Sequence, residues 1–436
     1  MRPPVQETRP ALQKQKEYWR FYWPLALMGV AMVVGRQFEN RVLAGYEDAA
    51  RELATFAFAM SVFWPFAAIL AFVPQMANVL GRSRRGHSVC LRFTMGVSLA
   101  ITLPIAAAGF TAPGAAVVAW VFELDAETTR TVVSYLRFLA PLALMGGLRQ
   151  YYTGMLVQAR RTGLVTALNV LALAVLIGGL LLGLRQDWGP VWTLAVARLV
   201  SGGLHLGLAM LLYVLYYRPP ARPEHEDLTY RDVFAFFWPV AVTGVMFAFS
   251  RPILYAFLNR TSGGKVAVAA TRVAFDFSML FGSFANQFRH FFVTFASHDL
   301  AGVRRFMVRI GAAVVVLMAA IVFTPLVDLV LRGLLNIPDH VYTPAVQALR
   351  VMCIWPAVMS ARNYFHGHLL LGRRTVGMAV GGLCRVGAIY SACSLLYAAG
   401  LLNHAWAGGV LVLGFAAEAT VAVVFARRIH ARRVTA

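Results

Sequence analysis

The chain has 436 residues, 59% of them hydrophobic and only 14% charged, with a formal charge of +21. A soluble domain carries about 25% charged residues, so this composition excludes one and points to an integral membrane protein. A nucleic-acid partner is excluded as well, because the Lys and Arg sit in short clusters between apolar runs and not on one soluble face.

Residues 1–20 are polar and basic and precede an apolar run too long for a signal-peptide core. They predict a cytoplasmic segment followed by a retained first helix. Apolar runs then fall at 21–43, 52–74, 89–110, 131–157, 163–184 and 190–217. After a polar break come 233–258, 266–296, 304–333, 343–371, 375–399 and 403–427. Each is near or above the roughly 20 residues that cross a bilayer. The expected architecture is all-α, with twelve membrane helices in two six-helix lobes, 21–217 and 233–428. Residues 218–232 (RPPARPEHEDLTYRD) read as a cytoplasmic linker and 429–436 as a cytoplasmic tail.

Loops with Arg84/Arg85, Arg160/Arg161, Arg304/Arg305 and Arg373/Arg374 alternate with loops carrying Glu47/Asp48, Glu123/Asp125/Glu127 and Asp339. The positive-inside rule then predicts a multi-pass protein of the cell membrane with both termini cytoplasmic. An even number of spans per half gives two repeats of one orientation, related by a pseudo-two-fold along the membrane normal. The residues carry that repeat. Laid without a gap, Trp23 meets Trp238, Pro24 meets Pro239, Gly29 meets Gly244 and Arg36 meets Arg251. Further on, Arg149 meets Arg362, Tyr151 meets Tyr364 and Gly154 meets Gly367. Ala57-Phe58 and Ser61 match Ala274-Phe275 and Ser278.

Arg36, Arg137, Arg149, Arg198, Arg251, Arg272, Arg289, Arg350, Arg362 and Arg385 lie within apolar runs, where no Lys does. Carboxylates there are fewer: Glu39, Asp276, Asp328 near a helix end, and Glu418. An intramembrane Arg costs roughly 2.5–3.5 kcal/mol on insertion scales and faces a partner or a water-filled cavity. Several cations in a low-dielectric vestibule repel unless an anion enters, and Arg matches carboxylate and phosphate oxygens bidentately. The expected ligand is a small polyvalent anion. Arg36, Arg149, Arg251 and Arg362 are expected to ring a central cavity, with Gln37, Asn40, Tyr151, Asn363 and Tyr364 beside them. The competing reading makes such arginines structural, and it is the one favoured for Arg137, Arg198, Arg289 and Arg350.

Glu39 lies on the helical face of Arg36 and either neutralises it or stands apart. Arg251 holds either substrate or a carboxylate such as Asp276. Glu418 is either an arginine partner, with Arg385 the first choice, or a proton or sodium coupling site. Pro24, Pro239 and Pro252 are candidate hinges, a static kink being the alternative at Pro252. His366 and His368 point about 200° apart on a helix, which argues against a metal site. Cys90, Cys353, Cys384 and Cys393 lack zinc-type spacing and read as small hydrophobes. With no phosphate-binding loop, nucleophile elbow or metal set, neither a cofactor nor an enzymatic activity is expected.

A set of short motifs adds to this. They are Asn40-Arg41 followed by Glu47-Asp48-Ala49 and Glu52-Leu53-Ala54, then Phe236-Phe237-Trp238-Pro239, then Ser250-Arg251-Pro252-Ile253 with Gly263-Gly264. Arg362, Gly367, the basic pair before Thr375, Arg385, and Gly414-Phe415 with Glu418 and Thr420 follow. In these the chain resembles the progressive ankylosis (ANK) family of the multidrug/oligosaccharidyl-lipid/polysaccharide (MOP) exporter superfamily. The resemblance implies a MATE/MOP-like fold of paired six-helix bundles, and export of small polyanions with pyrophosphate, ATP and citrate as associated substrates. Arg149 departs from the family pattern. A monomer is the default expectation. The alternatives are a cation or drug antiporter, a flippase of diphosphate-linked lipid, and a non-transporting scaffold or receptor.

Overall fold

A chain surrounded by lipid must close its backbone hydrogen bonds internally, and helices do so segment by segment. The computed structural model describes residues 11–81, 83–159, 161–217, 228–296, 298–371 and 376–434, and these are helical with short connections and no strand. The first half contains α1 (Ala11–Ala44), α2 (Ala49–Ala67), α3 (Val73–Leu80), α4 (Arg84–Phe110), α5 (Ala112–Phe122), α6 (Ala126–Gln158), α7 (Thr162–Arg185) and α8 (Pro190–Tyr216). The second contains α9 (Tyr230–Ala248), α10 (Ser250–Asn259), α11 (Gly264–Asn286), α12 (Phe288–Phe295) and α13 (Leu300–Val322). It continues with α14 (Leu326–Asp328), α15 (Asp339–Met352), α16 (Trp355–Leu371), α17 (Val376–Ala398) and α18 (His404–Val434).

Every apolar run of the sequence falls on one helix or on consecutive ones. Among the described residues, nine helices are long and apolar enough to cross a membrane. The run at 343–371 is broken at Cys353, leaving α15 and α16 with 14 and 17 residues. α1 starts at Ala11, inside the expected polar segment, because Ala11 to Glu17 (ALQKQKE) is made of strong helix formers. α18 likewise runs on to Val434, into the expected tail. Residues 218–227 of the expected linker lie outside the described residues. α5 occupies the connection after the third run. Thr111 opens it by accepting the Gly114 N–H at 3.1 Å, and Pro113 sits in its first turn, where a missing N–H is tolerated.

The repeat is visible in the backbone. The 213-residue shift from Arg149 to Arg362 carries α6, Ala126–Gln158, onto the residues that begin α15 and end α16. The 217-residue shift from Ala57 to Ala274 carries the 3₁₀ stretch Ala68–Phe72, between α2 and α3, onto 285–289. There α11 gives way to α12 at Gln287. Matched glycines set matched approaches. A Cβ on Gly154 would lie 2.7 Å from the Pro74 Cα on α3, and one on Gly367 would strike the Phe292 ring of α12.

The two halves interleave through their first helices. On α1, Tyr18 packs edge-on to Phe291, Phe295 and Phe306 with centroids 5.1, 5.0 and 5.7 Å away, and its hydroxyl donates to Asp299 at 3.1 Å. The Tyr22 hydroxyl donates to the Phe284 carbonyl at 2.9 Å. On α9, Phe237 packs against Phe93 of α4 at 5.4 Å. At the acidic-loop end the halves are tied by charge. Glu123 meets Arg260 at 3.1 Å and Asp125 meets Lys265 at 2.6 Å, while the Asn259 amide donates to the Phe122 carbonyl at 2.6 Å.

Replacing Gly154 by Val forces α3 away from α6 and should lower stability by roughly 1–3 kcal/mol, read as a fall in melting temperature in detergent. A second expectation concerns pH. The Lys265 ammonium, then the Thr128 N–H, hold the Asp125 carboxyl well below the ordinary carboxylate range. A depressed folded pKa contributes stability that is complete above the unfolded value of about 3.9 and fades as pH falls toward the folded one. The melting-temperature gap between wild type and Asp125→Asn should therefore be widest near neutral pH and close in acid. A gap that ignores pH would contradict this.

Candidate functional site

Helix interruptions bring polar groups to the middle of the bundle. Pro252 lacks an N–H, so the Ala248 carbonyl four residues back has no helical donor, and the run breaks at Phe249 between α9 and α10. Ala248, Arg251 and Pro252 all face a cavity of about 780 Å³ between the halves. The second break, at Gln287, places Asn286, Gln287, Arg289 and His290 on the same cavity. Eight arginines and three carboxylates line it, an excess of five positive charges.

The three carboxylates are buried, Glu39 at 3%, Asp276 at 2% and Glu418 at 2% exposure, and each is engaged. Glu39 takes Arg198 of α8 on both oxygens, at 2.8 and 2.9 Å. Asp276 meets Arg251 at 3.4 Å and Arg272, one turn away, at 3.8 Å. Asn40 bridges that cluster, donating to Asp276 at 3.3 Å and accepting from the Arg272 Nε at 2.9 Å. Glu418 accepts from Arg362 at 2.7 Å and from Arg385 more closely still. Aromatic faces support the cations, Phe56 at 4.5 Å from Arg272 and Phe415 at 5.1 Å from Arg385. Three arginines remain without a carboxylate among the described residues. Arg36 lies over Trp64 at 5.3 Å, and Arg149 and Arg289 face the cavity.

Arg36, Arg149, Arg251 and Arg362 thus come together on one cavity. Arg251 and Arg362 carry carboxylates, whereas Arg36 and Arg149 do not. Glu39 serves Arg198 and not Arg36. Asp276 takes Arg251, and Glu418 takes both Arg385 and Arg362. The neutral residues expected beside the arginines lie outside the cavity lining. Gln37 is buried with an amide that has no partner among the described residues. Asn40 sits behind the Asp276 cluster. The Tyr151 hydroxyl bonds His87 Nδ1 at 2.7 Å and donates to its carbonyl at 3.0 Å. Asn363 donates to the Ala285 carbonyl at 2.9 Å, and Tyr364 packs on Phe292 and His368. Of the three prolines, positions 24 and 239 lie inside unbroken α1 and α9, and only Pro252 adjoins a break. Arg137 is structural, its Nε donating to the Gly109 carbonyl at 2.8 Å. Arg289 joins the cavity against expectation. Its signal in the sequence was the adjacent Asn286-Gln287, a polar pair at the end of an apolar run.

Removing one partner of a buried ion pair costs roughly 3–5 kcal/mol, because the other charge is left unpaired. Glu418→Ala strands two guanidinium groups and should sharply lower the melting temperature in detergent. Glu127→Ala, which removes a 74% exposed partner of Arg51, should leave it unchanged.

The fold is similar to several solved membrane proteins. An inward-facing multidrug resistance MATE family transporter of the MOP superfamily is 15% identical with a TM-score of 0.69, covering 94% of this chain and 99% of that one. The lipid II flippase MurJ in an inward closed conformation is 12% identical with a TM-score of 0.67, covering 92% and 87%. A MOP superfamily transporter from Pyrococcus furiosus, described as having a binding pocket of reverse polarity, is 15% identical with a TM-score of 0.55, covering 93% and 94%. The family profile of progressive ankylosis protein (ANKH) matches residues 8–282. With that match over more than half its length, the chain belongs to the progressive ankylosis family.

Proposed function

We propose that the chain exports small polyvalent anions by alternating access through the arginine-lined cavity. Family and fold support a membrane transporter. The observation that carries the anion reading is the charge balance of the cavity, five positive charges in excess with three arginines unpaired. In a low-dielectric vestibule an entering polyanion relieves that repulsion, while an entering cation adds to it. Guanidinium groups match phosphate and carboxylate oxygens equally well, which fits pyrophosphate, ATP and citrate, the substrates associated with the family. The pocket of reverse polarity described for the Pyrococcus furiosus transporter is a parallel on the same fold.

The interruptions at Phe249 and Gln287 give the moving halves places to bend. The ion pairs of Glu123 and Asp125 tie the halves together at the acidic-loop end. By the distribution of basic loops the opposite end faces the cytoplasm, in the cell membrane, and one chain suffices for the cavity.

The test is flux in proteoliposomes with radiolabelled citrate, pyrophosphate and ATP. Wild type should move at least one of them. Arg36→Gln should cut the rate at least about tenfold, the loss of one charge-assisted hydrogen bond worth roughly 1.5–3 kcal/mol. Flux of organic cations alone would overturn the reading.

A further inference from the structure

The two halves match in backbone but not in side chains, and two sets of buried differences share one theme. The shift that carries Arg149 to Arg362 carries Ala172 to Arg385 and His205 to Glu418. In the second half these positions form a closed cluster, Glu418 holding both Arg362 and Arg385. In the first half the carboxylate is replaced by an imidazole and the second arginine by a methyl group. The formal charge of each set is the same, one positive. Its availability is not. Arg149 faces the cavity without a carboxylate. His205 is 4% exposed, neither ring nitrogen has a partner among the described residues, and its helix α8 packs against α6, which carries Arg149.

The other pair repeats the pattern. Arg251 is held by Asp276 together with Arg272. The shift from Ala274 back to Ala57 carries Asp276 to Ala59 and Arg272 to Thr55. Neither gives Arg36 a counter-charge, and both oxygens of nearby Glu39 are taken by Arg198. Of the four repeat-matched arginines, Arg251 and Arg362 are each held by a carboxylate of their own half, and Arg36 and Arg149 are not.

We propose that the anion docks on the first-half face of the cavity, on Arg36 and Arg149, and that His205 is the positioning residue that keeps Arg149 free for it. The inference rests on the anion-transport reading and adds to it a location and a ligand class. Unpaired guanidinium groups on α1 and α6, lining one cavity, call for an anion whose charge is borne on carboxylate or phosphate oxygens. An imidazole stands at the position where the second half has a carboxylate, and it gives the guanidinium no counter-charge. Arg251 and Arg362 serve the fold and the wall of the cavity.

The experiment measures binding of inorganic pyrophosphate and of citrate to the purified full chain, by titration calorimetry and by anion-dependent shift of the melting temperature. Wild type should bind at least one. Arg149→Gln should bind at least about tenfold more weakly, while its melting temperature without anion equals or exceeds that of wild type, because a half-buried charge without a carboxylate has been removed. His205→Glu installs the second half's carboxylate beside Arg149 and should lose binding to the same degree. His205→Gln, neutral and of similar size, should restore it. A merely structural histidine would respond alike to Glu and Gln, and that result overturns its assigned role. If His205→Glu does not fold, Arg149→Gln decides the location. Wild-type affinity in Arg149→Gln overturns this inference alone. Failure of wild type to bind either anion overturns the transport reading with it.

Discussion

Eight guanidinium groups share three carboxylates in the interior of a lipid-facing bundle, and most of the central architecture answers to that imbalance. Burying an ion is tolerable when a partner and further hydrogen bonds replace the lost water. Five arginines reach that state through Glu39, Asp276 and Glu418, with Asn40 and the Phe56, Phe247 and Phe415 rings completing the environment. The supply of carboxylates ends there. Arg36, Arg149 and Arg289 need either water or a ligand, and all three line the cavity. The same accounting separates two kinds of arginine that look alike in sequence, those held by a carboxylate and those without one.

Much of the fold was legible because its signals are strong. Apolar runs of membrane length and matched Trp-Pro and Gly positions gave the helices and the internal repeat. The Arg36–Arg251 and Arg149–Arg362 matches gave membrane depth, and all four side chains reach one cavity. Other features were not legible, for physical reasons. Pairing is a three-dimensional property: Glu39 sits one turn from Arg36, but Arg198 on α8 takes both of its oxygens. Helix phase misled at Tyr151, Asn363 and Tyr364. They neighbour cavity arginines in sequence, yet adjacent residues point about 100° apart, and theirs is the direction of the packed interior. α5 hid in a connection whose Thr-Ala-Pro-Gly start is a helix opening that hydropathy does not weigh. His205 needed the repeat to be extended from α6 to α8, where a histidine opposite a glutamate carries the message.

The pseudo-two-fold is therefore kept in the backbone and broken in the chemistry. The 3₁₀ stretch after α2 and the break after α11 are equivalent, as are the close approaches at Gly154 and Gly367. These shared features give both halves the same mechanical design. Ala59 against Asp276 and His205 against Glu418 then leave Arg36 and Arg149 without the carboxylates that hold Arg251 and Arg362. A duplicated unit needs only a few such substitutions to turn a symmetric vestibule into a polarised one.

The crossing of α1 and α9 has a consequence for how the molecule is made. Tyr18 and Tyr22 find their aromatic and carbonyl partners only in α11 to α13, more than 260 residues later in the chain. During synthesis α1 enters the bilayer long before the surface that covers its inner end exists. The first half is then a bundle with an aromatic stripe still unclaimed. It cannot reach its final packing until the ribosome has delivered the second, so assembly has a late, obligatory closing step. Separately expressed halves would have to find each other within the membrane and thread both crossings at once.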